Sequence, residues 1–117
     1  MDTLSTHLDE QVLGAPDKAN NCDIWYRTPS IIRLGRTIFV NIVFTNLTIN
    51  ELKVYATGMP HPVLQNQSED YFITFPVFNV NTGEICGFGK LNYRGELSIY
   101  STVQNYVGCN FSYVWYY

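Results

Sequence analysis

Two short segments pair aromatic rings with guanidinium or amide groups. Sugars present apolar C–H faces and hydroxyl rims, so their binding sites combine a flat aromatic ring with amide, carboxylate or guanidinium groups. The usual alternative for Trp and Tyr in a β protein is a place in the core, and Trp115 in the last predicted strand fits that alternative. The candidate saccharide-binding residues in the two segments are Trp25, Tyr26 and Arg27, then Asn92, Tyr93 and Arg94.

A third group of polar candidates lies in the long connection Thr57 to Asp70. A connection of this length inside a small domain is often functional, since loops carry binding residues on a rigid scaffold. This one begins with a proline-rich part and ends in a run of amides and carboxylates. Its candidate saccharide-binding residues are His61, Asn66, Glu69 and Asp70.

Catalytic motifs are missing from the sequence. It contains no nucleophile elbow and no Gly-rich phosphate loop, and we therefore expect a protein that is not an enzyme. A polysaccharide-degrading activity stays an alternative, because glycosidases need only two carboxyl groups roughly 5–10 Å apart. Glu69, Asp70 and Glu84 are the carboxylates available for such a pair.

Metal and cofactor sites are not expected either. Zinc sites use close pairs of Cys or His, whereas here these residues are scattered singly. Glu69 and Asp70 would suit calcium, but a solvated loop is the simpler interpretation. Three cysteines, Cys22, Cys86 and Cys109, make an odd set that predicts free thiols rather than a disulfide framework.

Charge and hydropathy exclude two classes of partner. The 117 residues are 46 % hydrophobic and only 15 % charged, with a net charge of −3. There is no cluster of Lys and Arg to follow a phosphate backbone, so nucleic acid is not an expected partner. No apolar run approaches the roughly 18 residues that span a bilayer, so we expect no membrane insertion.

Residues 1–21 differ in pattern from the rest of the chain. Leu4, Leu8 and Val12 repeat at a helical spacing, and a Gly- and Pro-containing stretch follows. We interpret 1–21 as a leader or linker with a possible short helix, and 22–117 as the main domain.

From Cys22 onward the apolar residues alternate with a period of two. The clearest strand is Thr37 to Thr45, whose predicted inward face is Ile38, Val40, Ile42 and Phe44. A positive φ at Gly95 is expected to close a hairpin at Asn92 to Gly95. Seven or eight such strands predict an all-β protein, an antiparallel β-sandwich of jelly-roll-like type.

The order of turns and strand ends from Thr57 to Tyr116 resembles the C-terminal receptor-binding head of bacteriophage tail-fibre and baseplate proteins. The pieces that carry the resemblance are structural rather than a ligand signature. They are the step Thr57-Gly58-Met59-Pro60, the Gly-rich strand Gly87 to Asn92, the segment Arg94 to Ser101 and the closing Phe111-Ser112-Tyr113.

This resemblance implies a homotrimer at a phage tail tip, made in the bacterial cytoplasm, that binds host-surface saccharide and other phage tail proteins. A trimer would also hide the excess of apolar surface suggested by the composition. The alternative is a structural tail or baseplate module that binds another phage protein, with Asp2 to Leu13 as its docking segment.

Overall fold

The computed structural model describes residues 10–19 and 25–116, and these residues form an all-β protein without a helix. Nine strands follow one another along the chain. They are β1 (Glu10–Leu13), β2 (Asp17–Lys18), β3 (Ser30–Leu34), β4 (Thr37–Phe44), β5 (Lys53–Thr57), β6 (Ile73–Asn79), β7 (Ile85–Leu91), β8 (Leu97–Ser101) and β9 (Val107–Val114).

All nine strands join one curled antiparallel sheet, in the order β1-β3-β4-β9-β6-β7-β8-β5-β2. β4 and β9 pair along their whole length, but β9 pairs with β6 only from Val77 to Asn79. Beyond that short junction the strands separate, and the two halves of the sheet enclose one core. The predicted jelly-roll-like β-sandwich class is confirmed.

The core is built by the period-two alternation of the strands. Ile38, Val40, Ile42 and Phe44 are each at most 1 % exposed, as the pattern of β4 predicts. Across the sandwich, the Phe44 ring lies 6.2 Å from that of Tyr55 on β5, so the two halves of the sheet are in direct contact. Burying apolar surface between the halves is the main stabilising contribution to such a fold.

One strand departs from simple alternation. The sequence predicts Leu52, Val54 and Ala56 on one face of the fifth strand, with Tyr55 on the other. A β-bulge between Val54 and Ala56 shifts the register, so Tyr55 is 1 % exposed and Leu52 lies at the surface. The buried Tyr55 hydroxyl accepts a hydrogen bond from the Thr48 backbone N–H at 2.9 Å, which lets a polar tip remain in the core.

The described part of the leader also differs from the expectation of a helix or linker. Glu10–Leu13 pairs with β3 along its whole length, and Asp17–Lys18 pairs with β5. Of the three apolar positions at helical spacing only Val12 falls in this part, and the β-branched Val favours a strand. The structure does not describe residues 1–9 and 20–21 of the predicted leader, which include Leu4 and Leu8, and it does not describe Cys22. Because β1 pairs with its outer side, β3 lies inside the sheet rather than at its edge.

Close backbone approach explains the glycines of β7. A Cβ atom on Gly89 would lie 2.2 Å from the ring of Phe75, the residue directly opposite on β6. The missing side chain lets Phe75 stack on Phe111 at 3.9 Å between ring centroids. The contact at Gly89 therefore requires a residue without a side chain.

Candidate functional site

The predicted binding residues gather mainly at the two ends of β9. Trp25, Tyr26 and Arg27 lie beside its first residues, whereas Tyr93 and Arg94 lie near its last ones. An eight-residue strand is about 25 Å long, so the two groups cannot share one small ligand. We call the first group the Tyr26 cleft (Tyr26, Arg27, Val43, Val80, Asn81 and Tyr106) and the second the Arg94 cluster (His61, Glu69, Tyr93 and Arg94).

Three separate connections build the Tyr26 cleft. The Tyr26 backbone N–H donates to the Val43 carbonyl at 2.8 Å, which fixes the segment that follows Trp25 beside the end of β4. Val80 and Asn81 follow β6, and the Val80 N–H donates to the Tyr106 carbonyl at 2.9 Å. Backbone bonds thus hold each wall of the cleft, so its shape does not depend on the binding side chains.

Val43 lines the cleft from the outer face of the sheet. Val43, Gly108 and Phe78 stand directly opposite one another on β4, β9 and β6, on the outer face of the sheet. A Cβ atom on Gly108 would lie 2.7 Å from the Phe78 ring, so only glycine lets that ring lie across β9. Of these three residues Val43 lines the cleft, and its apolar side chain suits the C–H face of a ring-shaped ligand.

Tyr106 has a backbone conformation that is rare for a tyrosine. Its φ is +58°, in the left-handed region where a bulky side chain is disfavoured by roughly 1–2 kcal/mol. Such conformations are concentrated at binding and catalytic sites. In this case the backbone holds the Tyr106 ring edge-to-face with that of Tyr26, with 5.1 Å between centroids and 86° between planes.

The cleft leaves its aromatic and polar groups accessible. Tyr26 is 54 % exposed and Tyr106 40 %. The Arg27 guanidinium lies 5.4 Å from the centre of the Tyr26 ring, and no described carboxylate pairs with it. The cleft has a volume of about 530 Å³, within the range of small-molecule sites. Two rings, one guanidinium and the Asn81 amide can contact the apolar face and the hydroxyl rim of a sugar.

The Arg94 cluster also contains a tyrosine followed by an arginine, but their contacts differ from those in the cleft. Arg94 Nη2 lies 2.7 Å from Glu69 Oε1, and Arg94 Nε donates to the Tyr93 hydroxyl at 3.1 Å. The bond to Tyr93, and then the nearby Glu69 carboxylate, raise the pKa of Arg94 above its ordinary value. Two nitrogens of the Arg94 side chain, Nε and Nη2, therefore bond to neighbouring residues of the same protein.

Asn92 has a structural role in the same hairpin. Its side-chain oxygen accepts bonds from the backbone N–H groups of Arg94 and Glu96, and its amide donates to Glu96 Oε1 at 2.7 Å. Gly95 has the predicted positive φ, at +79°. These contacts stabilise the turn and leave little of the Asn92 amide for a ligand.

The remaining predicted residues do not line the Tyr26 cleft. Trp25 is half-buried and packs edge-on against Phe44 of the core, with 6.0 Å between ring centroids. Asn66 and Asp70 are exposed in the polar connection, where their backbones bond to Ser68. His61 is exposed, and its ring carbon would lie 3.1 Å from a Cβ atom on Gly95. Trp115 packs partly buried against the core, as expected.

Sequence reasoning missed four residues of the Tyr26 cleft: Val43, Val80, Asn81 and Tyr106. Tyr106 lies eighty residues after Tyr26, in the turn directly before β9. An aromatic residue beside asparagine in a turn gives a weak signal, because turns seldom need a bulky side chain. The pairing of Tyr26 with Tyr106 depends on the sheet order, which the alternation does not specify.

Glu69 and Glu84 lie too far apart to act as a pair in glycoside cleavage. Glu69 contacts Arg94 beyond the end of β7, while Glu84 directly precedes the start of that strand. Seven residues of strand separate these positions by about 20 Å. No group of three or more potential metal ligands occurs among residues 10–19 and 25–116.

The thiols have no catalytic partner in the described structure. Cys109 is fully buried, which raises its pKa to about 12 and keeps it protonated at neutral pH. Cys86 is half-buried beside the Ser101 hydroxyl, with 3.4 Å between sulfur and oxygen. Both are free, as the odd cysteine count predicts.

The described residues also include no helix long and apolar enough to cross a membrane.

Comparisons with protein-family models, with curated proteins and with solved structures find no significant match to this chain. The fold class and the geometry of the Tyr26 cleft are thus the established features of this all-β domain.

Proposed function

We propose that this chain is a saccharide-binding head of a bacteriophage tail, and that the Tyr26 cleft is its binding site. The observation that carries the saccharide part is the pair of exposed, mutually perpendicular tyrosines beside a guanidinium without a described carboxylate partner. One ring can stack on a sugar face while the Arg27 and Asn81 side chains reach its hydroxyls. The phage setting depends on the resemblance of the turns and strand ends alone.

Backbone support of the cleft favours binding over catalysis as its role. A site with walls fixed by main-chain bonds loses little conformational entropy when a ligand enters. Its groups are aromatic rings, an amide and a guanidinium, which suit the apolar faces and hydroxyl groups of a sugar. Such a site would bind a single sugar unit weakly, so several copies on one virion would supply avidity.

A pair of tyrosine variants tests the location of the site. Tyr26→Ala removes the ring beside Arg27, whereas Tyr93→Ala removes the equivalent ring beside Arg94 and serves as the matched control. We expect Tyr26→Ala to weaken binding to bacterial surface polysaccharide about tenfold, which corresponds to about 1.4 kcal/mol. Tyr93→Ala should bind as the unchanged protein does.

A glycan array and binding to whole bacterial cells first identify candidate polysaccharides. Titration calorimetry with the purified polysaccharides then measures the affinity of each variant. Circular dichroism verifies that both variants stay folded. Equal loss in the two variants would remove the Tyr26 cleft as the site. Absence of binding to every polysaccharide and every cell surface would refute the saccharide proposal itself.

A further inference from the structure

The arginines of the chain differ in how their guanidinium groups are bonded. Arg33 and Arg36 each donate a hydrogen bond to a protein oxygen, at 3.1 and 3.4 Å, and Arg94 forms an ion pair. Arg27 contacts the Tyr26 ring, but no acceptor among residues 10–19 and 25–116 bonds to its N–H groups. A guanidinium has several N–H donors, so those of Arg27 remain available to a ligand.

Two ring contacts keep the Arg27 charge in the cleft. The guanidinium carbon lies 5.4 Å from the centre of the Tyr26 ring, and such a cation–π contact attracts the charge without supplying an acceptor oxygen. The Tyr26 ring in turn packs edge-to-face against that of Tyr106, with 5.1 Å between centroids. The charge and an exposed ring therefore lie side by side, within reach of one ligand.

The other residues that line the cleft are uncharged. They are Tyr26, Val43, Val80, Asn81 and Tyr106. Glu84 lies at the far end of the turn that carries Asn81, and it does not line the cleft. The net charge of −3 repels an anion at long range, but physiological salt screens exposed charges that are more than about 8 Å apart. The charge that a bound ligand meets in the cleft is thus the positive charge of Arg27.

We propose that the Tyr26 cleft binds an acidic sugar, and that Arg27 binds the carboxylate carried by the sugar ring. This inference rests on the proposed function and names the class of saccharide. Charge-assisted hydrogen bonds are shorter and stronger than bonds between neutral groups, so a guanidinium binds an anion better than a hydroxyl. The planar fork of arginine also matches the two oxygens of a carboxylate.

The geometry of the cleft favours a carboxylate on the sugar ring over an anion in the linkage between sugars. The guanidinium lies 5.4 Å from the centre of the Tyr26 ring, so the ligand must present its apolar face and its charge close together. A uronic acid does this within one unit, because its carboxylate is attached directly to the ring. The phosphodiester of a teichoic acid lies between units, away from the apolar faces. The Asn81 amide then bonds to the hydroxyls of the same sugar.

A matched pair of ligands tests the inference. The probes are bacterial capsular polysaccharides that contain uronic acids, used in native form and after their carboxyl groups are reduced to primary alcohols. Reduction removes the charge and keeps the rings and their linkages. We expect titration calorimetry to show at least tenfold weaker binding after reduction. A teichoic acid with neutral sugars should bind no better than the reduced polysaccharides.

Two glutamine variants locate the charge that recognises the carboxylate. Arg27→Gln and Arg94→Gln change the net charge equally, and both side chains are exposed, so we expect both variants to fold. Arg27→Gln should bind the native polysaccharide about tenfold more weakly and the reduced one as before, which abolishes the preference between them. Arg94→Gln should keep the full preference, and circular dichroism verifies the fold of each variant.

The possible results separate this inference from the proposed function. Equal binding of native and reduced polysaccharides, binding of neutral polysaccharides alone, or tighter binding of the teichoic acid would overturn the acidic-sugar inference and leave saccharide binding intact. Equal loss of preference in the two glutamine variants would also overturn it, because net charge rather than Arg27 would then decide. Absence of binding to every polysaccharide, charged or neutral, would refute the proposed function and this inference together.

Discussion

The Tyr26 cleft and the Arg94 cluster begin from the same dipeptide, Tyr followed by Arg, and end in opposite states. Arg94 is bonded to Glu69 and to the Tyr93 hydroxyl, so its charge is balanced within the protein. Arg27 contacts the Tyr26 ring, and no described carboxylate lies beside it. Residue types therefore suggest a candidate binding site, whereas the contacts formed in the folded protein determine whether its groups remain available to a ligand.

The packing around the backbone also differs between the Arg94 end and the cleft end of β9. At the Arg94 end, Gly95 fits tightly under the connection that follows β5, with its Cβ position 2.2 Å from the Met59 carbonyl oxygen. Near the cleft, the turn at Asn79 to Glu84 contains Gly83, whose Cβ position meets nothing within 4 Å. The Arg94 end is closed by internal packing, while the cleft end has free space around its turn.

The largest predicted effect compares those two glycines, which share a φ of +79°. Gly95→Ala adds a clash with backbone to the cost of a left-handed conformation, so we expect a loss of about 3 kcal/mol in the free energy of unfolding. Gly83→Ala has only the conformational cost, about 1 kcal/mol. Urea denaturation measures both, and equal losses would show that the Arg94 end is no more tightly packed.

Tyr106 provides the next prediction, because its backbone strain and its ring act on different properties. Tyr106→Gly relieves the positive φ but removes a cleft ring, so we expect saccharide affinity to fall about tenfold, about 1.4 kcal/mol. Stability should change by less than about 1 kcal/mol, since relief of strain offsets the lost ring contact.

Asn46→Gly is the matched control, since Asn46 has a similar φ of +61° and lies outside the cleft lining. It should leave saccharide affinity unchanged in the same calorimetric assay. A large stability loss in Tyr106→Gly without loss of affinity would assign Tyr106 to the fold rather than to the site.

The sequence predicts the fold better than it predicts the site, for a physical reason. Alternation in β4 specifies which side chains are buried, because each side chain responds to its own strand. Contacts such as Arg94 with Glu69, or Tyr26 with Tyr106, depend on which strands become neighbours. The bulge that buries Tyr55 and the pairing of Glu10–Leu13 with β3 likewise arise from the assembled sheet. Local patterns do not encode any of these.

Tyr113 gives a smaller prediction at the Arg94 end of β9. Its buried hydroxyl donates to the Pro60 carbonyl at 2.8 Å, so Tyr113→Phe should lower the free energy of unfolding by about 1 kcal/mol. Burial also raises the pKa of Tyr113 above its ordinary value of 10.0. The unfolded chain therefore loses this proton first, and stability should fall as the pH rises above about 10.

Tyr113→Phe should show a shallower alkaline decline than the unchanged protein in urea denaturation at several pH values. The Cys109 thiol, whose pKa is also raised by burial, contributes a decline that begins near pH 9 in both proteins. Saccharide affinity should stay the same, since Tyr113 lies at the far end of β9 from the cleft. Identical alkaline profiles would exclude Tyr113 as a source of the pH dependence.

The smallest predicted effect concerns the ion pair itself. Glu69→Gln removes the carboxylate from Arg94, but both side chains are more than half exposed, so solvent already screens their attraction. We expect no measurable shift in the urea midpoint at physiological salt. Arg94 should gain no saccharide affinity either, because its bond to the Tyr93 hydroxyl persists. If Glu69→Gln created a second binding site of affinity comparable to that of the Tyr26 cleft, an unpaired guanidinium beside a tyrosine would be sufficient for binding. The shape of the cleft would then be secondary.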